Sequence, residues 1–454
     1  MSMKWNDNNQ STRMPLLTKF IWVYFLLLIF EGALRKWIVP ALSTPLLLIR
    51  DPVAIAIIWE AYKTKKWPKQ WTSTIAVLCA VTVGLALIQL LAGDNVWFIA
   101  IYGLRSYLLP FPVAFIVGSV LTPQELRQFG RWTLVLLMPL TLLQIAQYYA
   151  PASSFLNVGA NQGSDQLAYA GGHVRASGTF SYVTGPTSYI PLAAAFIFYG
   201  MVNPRFVRKW LLWSAGFALI IAIPVTGSRS LLYMVILTIL CVLVAAFFGV
   251  SQFASSLKAI AVFAVVALAA SQLPVFHDSA ATFTDRLTSA AGAEGNAETS
   301  VGNRVLAPIT GTVESGLTTD NWFGHGIGIG SNVAASILHS DEFAAGEGEA
   351  ERLVYEFGAP AGLLFLIARW ALVLLIAIKA LGAVRRRQPL AWLLVPPMVV
   401  ALGTGTLEQT TIQGFMVMTV GFTIAALRVK DAPARVVQKP AYQWKPRPLE
   451  PRTQ

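Results

Sequence analysis

About twelve times along this chain, apolar residues run for close to the length a helix needs to cross a bilayer. Spanning the hydrocarbon core takes about 20 residues at the helical rise. Candidate spans lie near 16–34, 44–60, 73–92, 101–121, 132–150, 186–202, 210–225, 230–249, 257–274, 353–379, 389–407 and 412–428. Two of them carry irregularities: 44–60 holds Arg50-Asp51-Pro52, and 389–407 holds Pro396-Pro397. Proline is tolerated in membrane helices because neighbours re-satisfy the freed backbone groups. The expected fold class is an all-α polytopic membrane protein with about twelve transmembrane helices.

Charge supports that class. Only 12% of the 454 residues are charged and 55% are hydrophobic, against roughly 25% charged in a soluble domain. The net charge of +12 would suit nucleic acid in a soluble chain. In one this apolar it suits basic loops beside anionic lipid. Cys79 and Cys241 both sit in apolar runs, with no metal-ligand spacing and no disulfide framework. The basic N-terminus (Lys4, Arg13, Lys19) leads into the first run, and no small-residue cleavage site follows. That pattern predicts an uncleaved signal-anchor.

An even number of spans puts both termini on one side. Alternate loops carry Lys63, Lys65, Lys66 and Lys69, then Arg127 and Arg131, Arg205, Arg208 and Lys209, Lys258, and Arg385, Arg386 and Arg387. The positive-inside rule makes that side, and both termini, cytoplasmic. The expected layout is a cytoplasmic N-terminus (1–15), a transmembrane bundle (16–274) and an extracytoplasmic loop subdomain (275–352) between helices nine and ten. Spans ten to twelve (353–428) and a basic, Pro-rich cytoplasmic tail (429–454) follow. A second extracytoplasmic loop covers 151–185, and "NRVLAPITGTVESGL" in the larger loop is a candidate amphipathic helix. No internal or inverted repeat is visible.

The extracytoplasmic side is arginine-rich and nearly free of lysine. It carries Arg35, Arg50, Arg105, Arg175, Arg229, Arg286, Arg304 and Arg352, with Lys36 alone as lysine. Guanidinium presents a rigid fork that matches phosphate and does not lose its charge. The competing reading is interfacial snorkelling or pairing with acids. Arg105 and Arg229 stand at span ends with little loop around them, where an ionisable group is a functional hypothesis by default. "NWFGHGIGIGSN" (321–332) is not a dinucleotide fingerprint. Its glycines permit close approach of backbone N–H groups to an anion or to another helix, or simply make a tight turn.

"EGEAERLVYEFG" carries Glu347, Glu349, Glu351 and Glu356 into a span. These acids either favour a helix N-terminus or supply a proton acceptor for a hydroxyl nucleophile. Glu349 and Arg352, three apart, can pair on one face, and Glu349 and Glu356, seven apart, share it. His173, His277, His325 and His339 show no ligand spacing. No Asp-x-Asp, Walker A or Ser-His-Asp grouping is present, and no metal or cofactor is expected.

Four pieces together resemble the O-antigen ligase and polysaccharide (O-antigen) polymerase family of integral membrane glycosyltransferases. They are "GLRSYLLPFPVAFIVG" (103–118), "VRASGTFSYVTGPTSYIPLA" (174–193), "VTGSRSLLYM" (225–234), and "NRVLAPITGTVESGLTTDNWFGHGIGIGSN" followed by "LVYEFGAPAGLLFL". Each piece alone is weak; their order and spacing are the signal, and they cover most of the chain. The resemblance implies a bacterial inner-membrane enzyme that moves a glycan from a polyprenyl pyrophosphate donor to an acceptor sugar, without a metal. It assigns Arg175 and Arg229 to the donor pyrophosphate and Arg304 to the large loop's arginine. The span-end argument adds Arg105. The candidate catalytic set is Glu347, Glu349 and Arg304.

The chain departs from the family at one place. Members commonly carry a His-Asn pair nine residues before the Glu of an E-x-G step. Here that Glu is Glu356, and the earlier position holds Glu347-Gly348. Glu347 or Glu349 then replaces the histidine, or His339 reaches in, or the acceptor is activated elsewhere. The departure favours an exopolysaccharide or O-antigen polymerase over a lipopolysaccharide core ligase. Two other readings stand beside it: a transporter or flippase for a lipid-linked anionic substrate, and a non-catalytic subunit that works with other polysaccharide assembly proteins.

Overall fold

A computed structural model describes residues 14–93, 95–160, 169–170, 173–203, 205–248, 261, 322–331 and 349–428. The first helix, α1 (Leu16–Ala33), runs on into a π-helical turn, Leu34–Ile38. A short α2 (Ser43–Leu46) and α3 (Arg50–Lys63) follow. Next come α4 (Thr72–Ala92), α5 (Trp97–Leu108), α6 (Pro110–Val120) and α7 (Pro123–Tyr149). A two-stranded antiparallel ribbon, β1 (Tyr169–Ala170) and β2 (His173–Val174), precedes α8 (Thr184–Val202). After it come α9 (Lys209–Thr226) and α10 (Arg229–Phe247). The last described stretch holds α11 (Glu349–Phe357), α12 (Ala359–Arg385), α13 (Leu390–Leu393), α14 (Val395–Met398) and α15 (Thr410–Arg428).

Among the described residues, nine helices are long and apolar enough to cross a bilayer. A tenth candidate is the pair Pro40–Leu46 and Arg50–Lys63, bent by 40°; this is the run that contains Arg50-Asp51-Pro52. The run at 389–407 is not one continuous helix. It breaks into α13, α14 and a π-helical segment, Val399–Thr404, around Pro396 and Pro397, which lack the N–H that a continuous ladder needs. The expected span at 257–274 and most of the large loop lie outside the described residues.

Helices α8 and α15 form the centre, with Tyr189–Ile197 and Phe415–Val420 buried along their length. Helix α15 lies against α6 at close range. A Cβ on Gly118 would meet Ile424 at 2.6 Å, and one on Gly421 would meet Val117 at 2.5 Å. Small residues at such a crossing let two backbones approach where lipid offers no hydrophobic drive. The outer helices α4, α10 and α12 instead expose Val77, Leu87, Leu91, Leu240, Leu364, Ile367, Leu374 and Ile378. A surface this apolar is stable against lipid tails and not against water.

At one end of the bundle, Thr122 and Glu125 close a capping box that starts α7, and Thr18 of α1 bonds Glu125 at 2.9 Å. Arg428 of α15 caps carbonyls of α6 at Gly118 and Ser119. The opposite end gathers the C-termini of α1, α4, α7 and α9 with the N-termini of α3, α8, α10, α12 and α15. Most of the buried charge is there.

Candidate functional site

The charged end divides into three linked groups. The first fastens α1 to α3 and to the segment before α8. Glu31 accepts from Arg50 Nε at 3.0 Å and lies 3.5 Å from Arg35. Arg35 also donates to Ser43 and to Ser181 Oγ (2.9 Å), and Lys36 donates to Ser177 Oγ at 2.5 Å. Thr179 returns a bond to Ile29 O (2.7 Å), and Gly178 N donates to Gln147 of α7 (2.7 Å). Ser177, Gly178 and Thr179 of "RASGTF" are therefore fasteners.

What they fasten is the residue just before them. Arg175 leaves the ribbon, and its Nε reaches Thr226 O at 3.5 Å, at the end of α9. Thr226 opens the turn to Arg229. Gly227 sits at φ 57°, a left-handed conformation that ends α9 without a Cβ clash, and the Ser228 side chain caps the start of α10. Arg175 and Arg229 thus stand at one turn, both half-buried. Beside them His173 stacks on Tyr148, with ring centroids 4.3 Å apart.

The second group is an acid–arginine lattice on α11 and α12. Arg352 bonds Glu349 through Nε (3.0 Å) and Nη2 (2.6 Å), and Glu356 through Nη1 (3.0 Å). Glu349 takes a further bond from Arg369 Nη1 at 2.5 Å and one from Leu407 N. Arg369 spends its other donors on Leu402 O and Gly405 O, the carbonyls that the broken helix leaves unpaired. Glu356 is completed by Tyr107 Oη (2.9 Å) and Gly330 N (3.1 Å).

The glycine-rich segment 322–331 seals this lattice. Gln89 of α4 donates to Phe323 O and Glu356 O and accepts from Ile327 N. Gly328, at φ 88°, lies so close to α5 that a Cβ on Gly103 would fall 2.5 Å from its nitrogen. Of the options open in the sequence, two are seen: tight turns, closed by Ile329 N to Gly326 O (3.2 Å) and Ser331 N to Gly328 O (3.1 Å), and close approach to another helix; Gly330 adds an N–H to a carboxylate.

The third group is incomplete. Arg105 bonds Asp51 at 2.8 Å and lies over the Tyr102 ring, 4.2 Å from its centroid. Its Nε and Nη2 are buried and meet no acceptor among the described residues. Close by, Glu408 stands between the π-helical segment and α15. Its side chain is 5% exposed, Arg352 is 3.4 Å away, and neither carboxylate oxygen accepts a hydrogen bond among the described residues. Burial first, then the charge of Glu356, pushes its carboxyl up to about 8. Arg105 lies within α5 and inside the Trp97–Val120 span, not at a span end as its sequence position suggests. The Ser106 carbonyl accepts from Gln413 of α15 at 3.1 Å, which joins α5 to the helix that Glu408 precedes.

Of the residues singled out from sequence, Arg175 and Arg229 come together, Arg105 lies among acids, and Glu349 is taken up by two arginines. Arg304 and Glu347 lie outside the described residues, as do Arg286, His277 and His339. Glu349 has both oxygens engaged, a poor arrangement for accepting a substrate proton. Arg369 and Glu408 are members that sequence reasoning misses. Each sits in or beside a run that reads as plain membrane helix, and the only signal is a lone charge in apolar surroundings.

Among the described residues, no group of three or more His, Cys, Asp or Glu could hold a metal ion. Comparison with protein-family models, with curated proteins and with solved structures finds no match to this chain.

Proposed function

We propose that this chain is a membrane glycosyltransferase. It joins a glycan carried on polyprenyl pyrophosphate to an acceptor sugar, on the extracytoplasmic face of a bacterial inner membrane. In this reading the chain crosses about twelve times with both termini cytoplasmic. The charged end of the bundle is then extracytoplasmic, at the depth of lipid phosphates. Polymerisation of an exopolysaccharide or O-antigen is favoured over ligation to a lipopolysaccharide core, because Glu347 stands where the family it resembles has histidine.

The observation that carries the reading is the meeting of Arg175 with the Arg229 turn. Breaking the bond from the anomeric carbon to pyrophosphate leaves charge on the phosphate oxygens. Guanidinium groups held in place stabilise that charge as it develops, with little reorganisation at the moment of reaction. Arg304 of the large loop is the third cation of the proposed clamp. No resident metal or cofactor is needed for this step. In a strain lacking the gene, complementation with Arg229→Ala should leave single repeat units on the lipid carrier and few long chains. Arg229→Lys should be nearly as defective, because lysine lacks the fork. Wild-type chain length in the Arg229→Ala strain would sink the reading.

A second reading, transport of a lipid-linked anionic substrate, draws on Arg369. This arginine lies well inside α12 against a broken helix, the setting transporters use for substrate sites. Its donors are filled by Glu349 and two carbonyls, which suits a structural bolt better than a substrate path. Substrate accumulation in vesicles without new glycosidic bonds would favour transport.

A further inference from the structure

A buried carboxylate whose oxygens both lack hydrogen bonds is costly unless it is protonated or meets a polar ligand. Among the described residues Glu408 is such a group, with only the charge of Arg352 3.4 Å away, and Arg105 of the same cluster has two buried N–H donors with the complementary need. Each feels the other's charge. The rest of the neighbourhood is saturated: Glu349 is held by Arg352 and Arg369, and Glu356 by Arg352, Tyr107 and Gly330. Among the described residues, then, an open acceptor and open donors belong to one charged cluster, each within range of the other's charge. A hydroxyl group has one proton to give and lone pairs to receive, so it answers both.

We propose that Glu408 and Arg105 form the acceptor subsite, Arg105 orienting an acceptor sugar hydroxyl and Glu408 taking its proton. This rests on the glycosyltransferase reading. The hydroxyl proton passes to the Glu408 carboxylate as the acceptor oxygen bonds the donor's anomeric carbon. The bond from that carbon to the pyrophosphate oxygen breaks, and its electron pair leaves on polyprenyl pyrophosphate. The subsite fills the role left open by the missing histidine, with a residue from another part of the chain. It sits at the same end as the Arg175–Arg229 turn, and both α10 and α15 pack on α8.

The pH dependence has a definite sign. The groups facing Glu408 are Arg352, Glu349 and Glu356 from α11, and Arg105, Tyr102 and Tyr107 from α5. The acids and burial favour its protonated form, whereas the base must be ionised. The rate should therefore rise with pH through about 8.

The test uses the full chain in lipid nanodiscs. The substrate is the lipid-linked repeat unit accumulated by the deletion strain, and elongation is followed from about pH 6 to about pH 9.5. Glu408→Gln should lower kcat by about 10²- to 10⁴-fold, leave KM for the lipid-linked donor unchanged, and abolish the alkaline rise. Glu408→Asp should keep part of the rate and displace the rise. Glu408→Gln with a wild-type rate and pH profile would overturn the proposal while leaving the glycosyltransferase reading intact. If Glu408→Gln does not fold, an unmoved rise in Glu408→Asp overturns it equally. A wild-type chain that forms no glycosidic bond defeats the underlying reading, and the subsite with it.

Discussion

Glu349 and Glu408 are two buried carboxylates of one charged cluster, and they are treated in opposite ways. Glu349 receives two guanidinium groups and a backbone N–H. Glu408 accepts no hydrogen bond among the described residues, although Arg352 is 3.4 Å away. The same contrast separates Arg369, whose donors are occupied, from Arg105, which keeps two unoccupied among the described residues. Saturation marks the part that holds α11, α12 and the broken helix together. Open valences among the described residues mark the part proposed to take the acceptor. Buried charge alone does not distinguish the two carboxylates; completeness of pairing among the described residues does.

The contrast can be broken experimentally, and the largest effect belongs to the saturated side. Glu349→Ala leaves Arg352 and Arg369 buried without their shared acceptor. It should cost about 3–5 kcal/mol, seen as a large fall in melting temperature and in the yield of folded protein in detergent. Next comes the Arg229 turn. Arg229→Ala should lower glycan transfer by about 10²- to 10³-fold, measured as chain elongation, with melting little changed because the side chain is half-buried at the bundle's edge.

Glu408→Gln sharpens the contrast, since it breaks no hydrogen bond among the described residues and removes only a 3.4 Å charge contact with Arg352, which keeps Glu349 and Glu356. Its melting should shift by no more than about 1 kcal/mol equivalent, while its elongation rate collapses. A Glu408 variant as unstable as Glu349→Ala would erase the distinction between the two carboxylates. The smallest effect is expected at the far end. Thr122→Ala removes the cap of α7 and should cost about 1 kcal/mol with elongation unchanged.

The helical, polytopic character is plain in the sequence, because an apolar run of membrane length is stable in few settings besides a bilayer. The Glu349–Arg352 pair is legible too, since a spacing of three on one helix face is a local property. What stays hidden is tertiary. Arg369 meets Glu349 from 20 positions away, and nothing in the apolar run around it names the partner. Pro396-Pro397 marks a break, but not the carbonyls at Leu402 and Gly405 that Arg369 satisfies. Glu408 sits in a short link between the π-helical segment and α15, "GTGTLEQT", and its lack of hydrogen bonds among the described residues shows only when its neighbours' partners are known. The arginines of the turn are legible as candidates. That Arg175 reaches back to Thr226 follows from the Ser177 and Thr179 bonds to the first helix and its π-helical turn, which no spacing rule contains.

The most direct test is stoichiometric. The purified chain in nanodiscs is supplied with a lipid-linked repeat unit, and new glycosidic bonds are counted against released polyprenyl pyrophosphate. The account predicts one pyrophosphate carrier released per bond formed, with both products lost together in Arg229→Ala. Movement of intact lipid-linked repeat across the membrane, with no bond formed and no carrier released, would contradict it.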